Sequence, residues 1–345
     1  MMAASPEAAT LLEVVHETAY RYAAPVTLAH HLAHLQPLHD EGQALQAFQL
    51  QIDPPPDNRR DSRDSAGNLQ CHFSLARQHQ TLRVLASSRV RLRPRFAGLQ
   101  PAASPAWDSL AAQLRYVARG RFQPAAEYAL PSPFVPRLEE LRAWAAPTLL
   151  PGRPVAEVAL ALMRRVYAEF RYESQSTAVD TPLAQALAQK RGVCQDFAHV
   201  LIGALRAFGL PARYVSGYLL TRPPEDGPAL VGADASHAWV QAWVPGTPGV
   251  PSSGDSAGWL DLDPTNQLVP DTGHVRVAVG RDFGDVTPLR GVIRGGGRHT
   301  LAVGVTTRLL SDAAEPARGG DAGHDPACSQ VCTGPASAGP VVATR

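Results

Sequence analysis

Between residues 191 and 264 the chain switches its hydrophobic period from helical to strand-like, and that switch limits what it can become. RGVCQDFAHVLIGALRAFGL reads as an apolar helix that begins near Cys194. Phe197, Ala198, Leu201, Leu205 and Phe208 share a face with Cys194, the spacing of a helix with one buried side. Gly209 suits a left-handed stop, and Leu210-Pro211 ends the run. ARYVSGYLL then reads as a strand. SHAWVQAWVP alternates strictly, with His237, Trp239, Gln241 and Trp243 on one side and Ala238, Val240, Ala242 and Val244 on the other. After a Gly/Ser/Pro loop, WLDLDPTNQ supplies one more strand, ended by Pro264. A helix start, a strand start and a strand end are places where distant residues converge on one cleft rim. Here they hold Cys194, His237 and Asp263.

Around this stretch the chain falls into four regions. Residues 11–95 carry strand signals with Pro54 to Pro56 and Ala66-Gly67-Asn68 as turns, and are expected to form a small all-β domain. Residues 24–37 fit strand or loop. Residues 96–135, rich in Pro and Ala, read as a connector. Helices are expected over 136–145 and 154–170, with Val155, Val158, Ala159, Leu162 and Val166 on one face of the second. Another opens at Thr181-Pro182. The catalytic core is expected to span 136–310 and to include the C-terminal strands of HVRVAVG and HTLAVGVTTRLL. Residues 311–345 have no periodicity and are expected to be disordered. The glycine run 295–297 reads as a turn, since it lacks the Lys-Ser/Thr of a phosphate loop.

Charge argues against some partners. The formal net charge is +1 over 345 residues, so neither nucleic acid nor an anionic membrane is implied. Lys190 is the single lysine. No apolar stretch approaches the ~18 residues of a membrane span, and the N-terminus lacks the basic and apolar segments of a signal peptide. The four cysteines, Cys71, Cys194, Cys328 and Cys332, are too sparse for a disulfide scaffold. A cytoplasmic protein with reduced thiols is expected. Cys328 and Cys332, even with His324 nearby, lack the spacing of a zinc site, and neither metal nor cofactor is expected.

A thiol attacks carbonyls well only as a thiolate. Cys194 at a helix start meets partial positive charge and free N–H groups. A histidine can take its proton, and a carboxylate can hold that imidazole in the right tautomer. These residues also carry a resemblance. RGVCQDFAHVLIGALRAFGLPARYVSGYL, DASHAWVQAWV and GWLDLDPTNQ together resemble the core of the transglutaminase-like superfamily. The match is closest to its bacterial branch with a β-rich N-terminal region, which HETAYRYAAPV and SAGNLQCHFSL resemble in turn. HVRVAVGRDFGDVTPLRGVIRGGGRHTLAV resembles the stretch after the core. The resemblance implies a papain-like α+β fold in which a nucleophile helix packs on an antiparallel sheet. It assigns the nucleophile to Cys194, the histidine to His237 and the acid to Asp263. Strand parity alone does not separate Asp263 from Asp261.

The implied chemistry is acyl transfer through a thioester on a carboxamide or peptide carbonyl, with a protein or peptide as donor. An amine acceptor would make a crosslinker, and water would make a protease or amidase. A non-catalytic binding module on the same fold is the other class, marked by degenerate triads. Oligomeric state stays open. The Cys194 N–H is the expected oxyanion donor, with Tyr172 and Gln175 as candidates for the second. Gln195, Asp196 and His199 are expected to be structural, and Gly192 is expected to make a tight turn before the helix. His237 shares its strand side with Trp239, which requires the aromatic side to line the cleft.

Overall fold

The computed structural model describes residues 9–173, 179, 181–220, 236–310 and 341–343. Its first element, β1 (Thr10–Ala33), is a single strand of 24 residues that takes in 24–33 of the ambiguous 24–37 segment and leaves 34–37 outside any strand. It is followed by β2 (Gln43–Asp53), β3 (Asn58–Arg63), β4 (Leu69–Leu75) and β5 (His79–Leu92). The connector holds one short helix, α1 (Trp107–Gln113), and then come α2 (Glu139–Ala145) and α3 (Val155–Glu169). A two-residue strand β6 (Arg171–Tyr172) precedes α4 (Leu183–Gln189), and β7 (Arg191–Gly192) leads into α5 (Cys194–Arg206). Strands β8 (Ala212–Leu219), β9 (His237–Trp243), β10 (Trp259–Leu262) and β11 (His274–Gly280) follow, then α6 (Phe283–Val286), β12 (Leu289–Gly295), β13 (His299–Leu310) and β14 (Val341–Ala343).

The α+β expectation holds. Strands β10-β9-β8-β11 form an antiparallel sheet, and α5 packs on β8 and β9. The helix-facing residues of β9 are Ala238, Val240 and Ala242, which join the core of Phe197, Leu201 and Leu205. Pro182 stands at the N-cap of α4, and Gly209 takes φ +76° just beyond α5. That left-handed conformation is one a side chain would resist.

The N-terminal sheet is built around β1, and here the structure departs from the sequence reading. Residues 289–310, with the strand of HTLAVGVTTRLL, are expected to belong to the catalytic core, and they form β12 and β13. They pair instead with β1 in antiparallel fashion, from Leu11↔Leu310 to Tyr22↔His299 for β13 and from Val26↔Gly295 to Ala33↔Leu289 for β12. The opposite edge of β1 is taken by β5 and then by β4. Alternation fixes which face of a strand is buried but says nothing about its neighbour. The pairing could therefore not be read from 289–310 alone. Of the tail at 311–345, expected to be without structure, Val341–Ala343 pair in parallel with β12. The rest of the tail, with His324, Cys328 and Cys332, lies outside the described residues, as does Gln175.

One hydrophobic core joins both parts. Leu12, Val14, Val90 and Leu92 from the N-terminal sheet pack with the residues of α3 and α5. A second core around Val26, Phe73, Leu75, Leu82 and Val84 belongs to the N-terminal sheet alone. Polar contacts stitch the seam. Arg276 of β11 donates to both oxygens of Asp40 at 2.8 and 2.6 Å and to Ser256 Oγ at 3.0 Å. Gln43 donates to the Arg276 carbonyl and accepts from its N–H. Asn68 does the same with Val279.

Candidate active site

Cys194 is the first residue of α5 and is half-buried. The helix start is fixed from within. Asp196, in the first turn, accepts a hydrogen bond from the Val193 N–H at 2.9 Å, satisfying a donor that a helix end otherwise leaves open. Gly192 does not supply the tight turn expected of it. It lies in β7, and a Cβ there would come within 2.4 Å of the Asp196 carboxylate. Its missing side chain is what lets Asp196 reach back. The Gln195 amide donates to the Val179 carbonyl at 2.9 Å. His199 accepts from the Phe283 N–H at 3.2 Å and stacks on Phe134, and burial pushes its imidazole down to about 4, outweighing the nearby Asp282. Asp196 and His199 are thus structural, as expected.

His237 opens β9 and is fully enclosed. Its Nε2 lies 2.9 Å from Asp263 Oδ2. Burial alone would lower its pKa. The adjacent Asp263 charge and hydrogen bond outweigh that, the Cys194 thiol adds to them, and the imidazole is raised to about 10. Nε2 is committed to Asp263, and Nδ1 is buried with no hydrogen-bond partner. Trp239, on the same side of the strand, does not line the cleft. It packs with Val215 and Val279 beneath Leu38 and Ala66, and Gly217 makes room for its indole. His237 reaches the cleft because it is the first residue of the strand.

Asp263 lies just beyond β10 and accepts from more than His237. The Thr265 and Asn266 N–H groups donate to Oδ1 at 2.9 and 3.1 Å, and Asn266 Nδ2 donates to Oδ2 at 2.8 Å. The Asp-Pro-Thr-Asn turn thus folds back onto its own carboxylate. Burial would raise the Asp263 carboxyl, but His237 first and a second imidazole after it outweigh that and hold it far below the usual carboxylate range.

The second imidazole belongs to His274, the first residue of β11, whose Nε2 is 3.1 Å from Asp263 Oδ2. Burial lowers the His274 pKa against the pull of Asp263. Neutral His274 is therefore a donor to the carboxylate. Sequence reading missed it, because HVRVAVG carries only the signal of a strand. His237, Asp263 and His274 form a set that could ligate a metal ion. In this arrangement one carboxylate oxygen sits at hydrogen-bond distance from both Nε2 atoms. Cys194 stands outside that three-residue cluster.

Asp261 has a different task. It accepts from Trp239 Nε1 at 3.1 Å, from Gln241 Nε2 at 2.5 Å and from Arg95. It anchors the connector beneath the sheet.

Cys194 and His237 line one cavity of about 370 Å³. Its far wall comes from the N-terminal sheet, through Tyr20 of β1 and Leu301 and Val303 of β13. Tyr172 also lines it, packed on Phe197. A larger cavity, about 740 Å³, lies between α1, the 126–142 segment and the end of α5, and touches none of these residues.

Comparison with known proteins agrees with this architecture. Residues 12–91 match the family described as bacterial transglutaminase-like N-terminal region, and residues 142–264 match the transglutaminase-like superfamily. An uncharacterised protein of Mycobacterium tuberculosis is 40% identical over 286 residues, which cover 81% of this chain and 86% of that one. A protein-glutamine gamma-glutamyltransferase of Pseudomonas aeruginosa is 34% identical over 126 residues, 35% of this chain and 17% of that protein. A crystal structure from Cytophaga hutchinsonii, described as a candidate cysteine protease, superposes with a TM-score of 0.65 at 21% identity. It covers 90% of this chain and 93% of its own and shares the fold.

Proposed function

We propose that this chain, which belongs to the transglutaminase-like superfamily, transfers acyl groups through a thioester on Cys194. The observation that carries the reading is the enclosed His237–Asp263 pair, with Cys194 at the start of α5 lining the same cavity as His237. Cys194 Sγ, its proton already held on His237, attacks the carbonyl carbon of a carboxamide or peptide. The oxyanion is met by the Cys194 N–H, which α5 leaves free at its first turn. Collapse breaks the C–N bond, and His237 protonates the departing ammonia or amine. Asp263 keeps the imidazole oriented and favours its charged form. His274, Thr265 and Asn266 hold Asp263 in turn.

An amine or water then resolves the thioester, using the same residues. The name of the Pseudomonas relative favours an amine. Water as acceptor makes the same site an amidase or protease. Amine incorporated into a glutamine peptide distinguishes the first; hydrolysis indifferent to added amine, the second.

The nucleophile assignment is tested by alkylation. Burial, and then the Asp61 hydrogen bond, push the Cys71 thiol up to about 12. In the folded protein at neutral pH, iodoacetamide is expected to modify Cys194 at least roughly a hundredfold faster than Cys71. Equal rates, read by peptide mass mapping, would remove Cys194 from the mechanism.

A further inference from the structure

The cavity beside Cys194 has a composition that the transfer chemistry does not require. Its walls include Tyr20, Tyr172, Phe283, Leu289, Leu301 and Val303, drawn from both the sheet built on β1 and the helical core. Such a lining discriminates by burying an apolar group. The volume, about 370 Å³, lies at the small end for ligand pockets and suits one substituted ring rather than a folded segment.

Its charge is equally specific. His16 lines the cavity too, but burial pushes its imidazole down to about 4, so it is neutral at neutral pH. Both its ring nitrogens are engaged, with Tyr218 Oη and Thr18 Oγ1, each at 3.0 Å. Outside the Cys194–His237 pair, Arg290 is the one charged side chain among the described lining residues. It is exposed and donates Nη1 to the Gly284 carbonyl at 2.9 Å. The nearby Asp285 is committed to Arg281, at 2.9 and 3.0 Å. Arg290 therefore brings a guanidinium with donors to spare to the edge of an apolar pocket.

We propose that this cavity selects an acyl donor with an aromatic group beside the reacting carbonyl and an anionic group that pairs with Arg290. The N-terminal sheet, through Tyr20, Leu301 and Val303, is then the part of the molecule that reads the donor. The proposal rests on Cys194 being the nucleophile, so its test must separate the two failures.

Three alkylating agents do so on the intact chain: iodoacetamide, N-benzyl iodoacetamide and N-(4-carboxybenzyl) iodoacetamide. In each reaction Cys194 Sγ forms a C–S bond, iodide leaves with the C–I electron pair, and the proton the thiol has given up stays on His237. Rates at Cys194, each divided by the rate with glutathione, report recognition without requiring turnover. The benzyl reagent is expected to react at least about tenfold faster than iodoacetamide, the worth of burying an aromatic ring. The carboxylate is expected to add roughly threefold, the scale of a part-exposed ion pair. Arg290→Gln is expected to erase that last gain, returning the ratio of the two benzyl reagents to its glutathione value. Equal normalised rates for all three reagents, with Cys194 still far faster than Cys71, would overturn the aromatic donor and leave the nucleophile standing. A benzyl preference with no carboxylate gain, or a gain that survives Arg290→Gln, would overturn the anionic donor. Cys194 no faster than Cys71 with any reagent would overturn both readings.

Discussion

Asp261 and Asp263 sit on the same side of one strand end, and what stands opposite each decides its task. Asp261 faces Gln241 across the β9–β10 pair and holds Arg95, whose side chain is only 8% exposed. Asp263 faces two imidazoles. Asp263→Asn removes the charge that holds His237 up, so burial then lowers its pKa. The alkaline limb of kcat/KM, set near 10 by loss of the His237 proton, is expected to move toward neutral pH. Turnover should fall by roughly a hundredfold or more. Asp261→Asn should leave that limb in place and cost roughly 3 kcal/mol in urea unfolding, because it strands a buried guanidinium. A limb that moves in Asp261→Asn instead would reverse the assignment. The stability signs follow the same shifts. The raised His237 contributes below its ordinary 6.5, and that contribution is lost as pH rises through about 10. The depressed Asp263 contributes above its ordinary 3.8, and that is lost in acid. The helix start at Cys194 and the strand start at His237 could be read from local periods and breakers, whereas parity left Asp263 level with Asp261 until the structure set His237 against Asp263. His274 was not legible, because its link to Asp263 exists only once β11 has joined the sheet beside β8.

At the scale of elements, the helices could be read closely and the strand partners could not. α3 and α5 announce themselves by apolar spacing; α3 ends at Glu169, one residue short of expectation, and α5 at Arg206, three residues before Gly209. β12 and β13 alternate as strands should, yet nothing in their own residues says that β1 is their neighbour. β1 is long because it serves two sets of partners, β13 and β5 along its first half and β12 and β4 along its second. The lock between the two sheets is more local. Arg276, 2% exposed, leans on Asp40 from the loop before β2. Burial pulls its pKa down, with Asp40 and Asp261 opposing. Asp40→Ala leaves that cation without its closest partner and is expected to cost about 3 kcal/mol in urea unfolding. Asp40→Asn, which keeps an acceptor, should cost less. A loss below about 0.5 kcal/mol would class the pair with ordinary surface contacts.

At the scale of the molecule, the single lysine limits what the protein can do to itself. Lys190 closes α4 in a left-handed conformation at φ +52°. Its ammonium sits 3.2 Å from Glu169 and over the rings of Trp144 and Phe170, and it is not among the residues of the Cys194 cavity. It is a charged, occupied group and a poor acyl acceptor. Incubated alone at neutral pH, the protein is expected to form no lysine-linked multimers on a reducing gel, whatever it transfers to other amines. Multimers that vanish in Lys190→Arg would refute this.

The pairing of β1 with β13 also sets an order of events at the ribosome. Leu11 meets Leu310 and Tyr20 meets Leu301, so the first strand translated cannot complete its native pairing until nearly the last described residues have emerged. Cys194, His237 and Asp263 are all synthesised before that. The wall of their cavity that Leu301 and Val303 supply comes after them. Contacts so distant along the chain form late and at a high entropic cost. The nascent chain thus carries Cys194, His237 and Asp263 for some time before it has the cavity wall that Leu301 and Val303 supply.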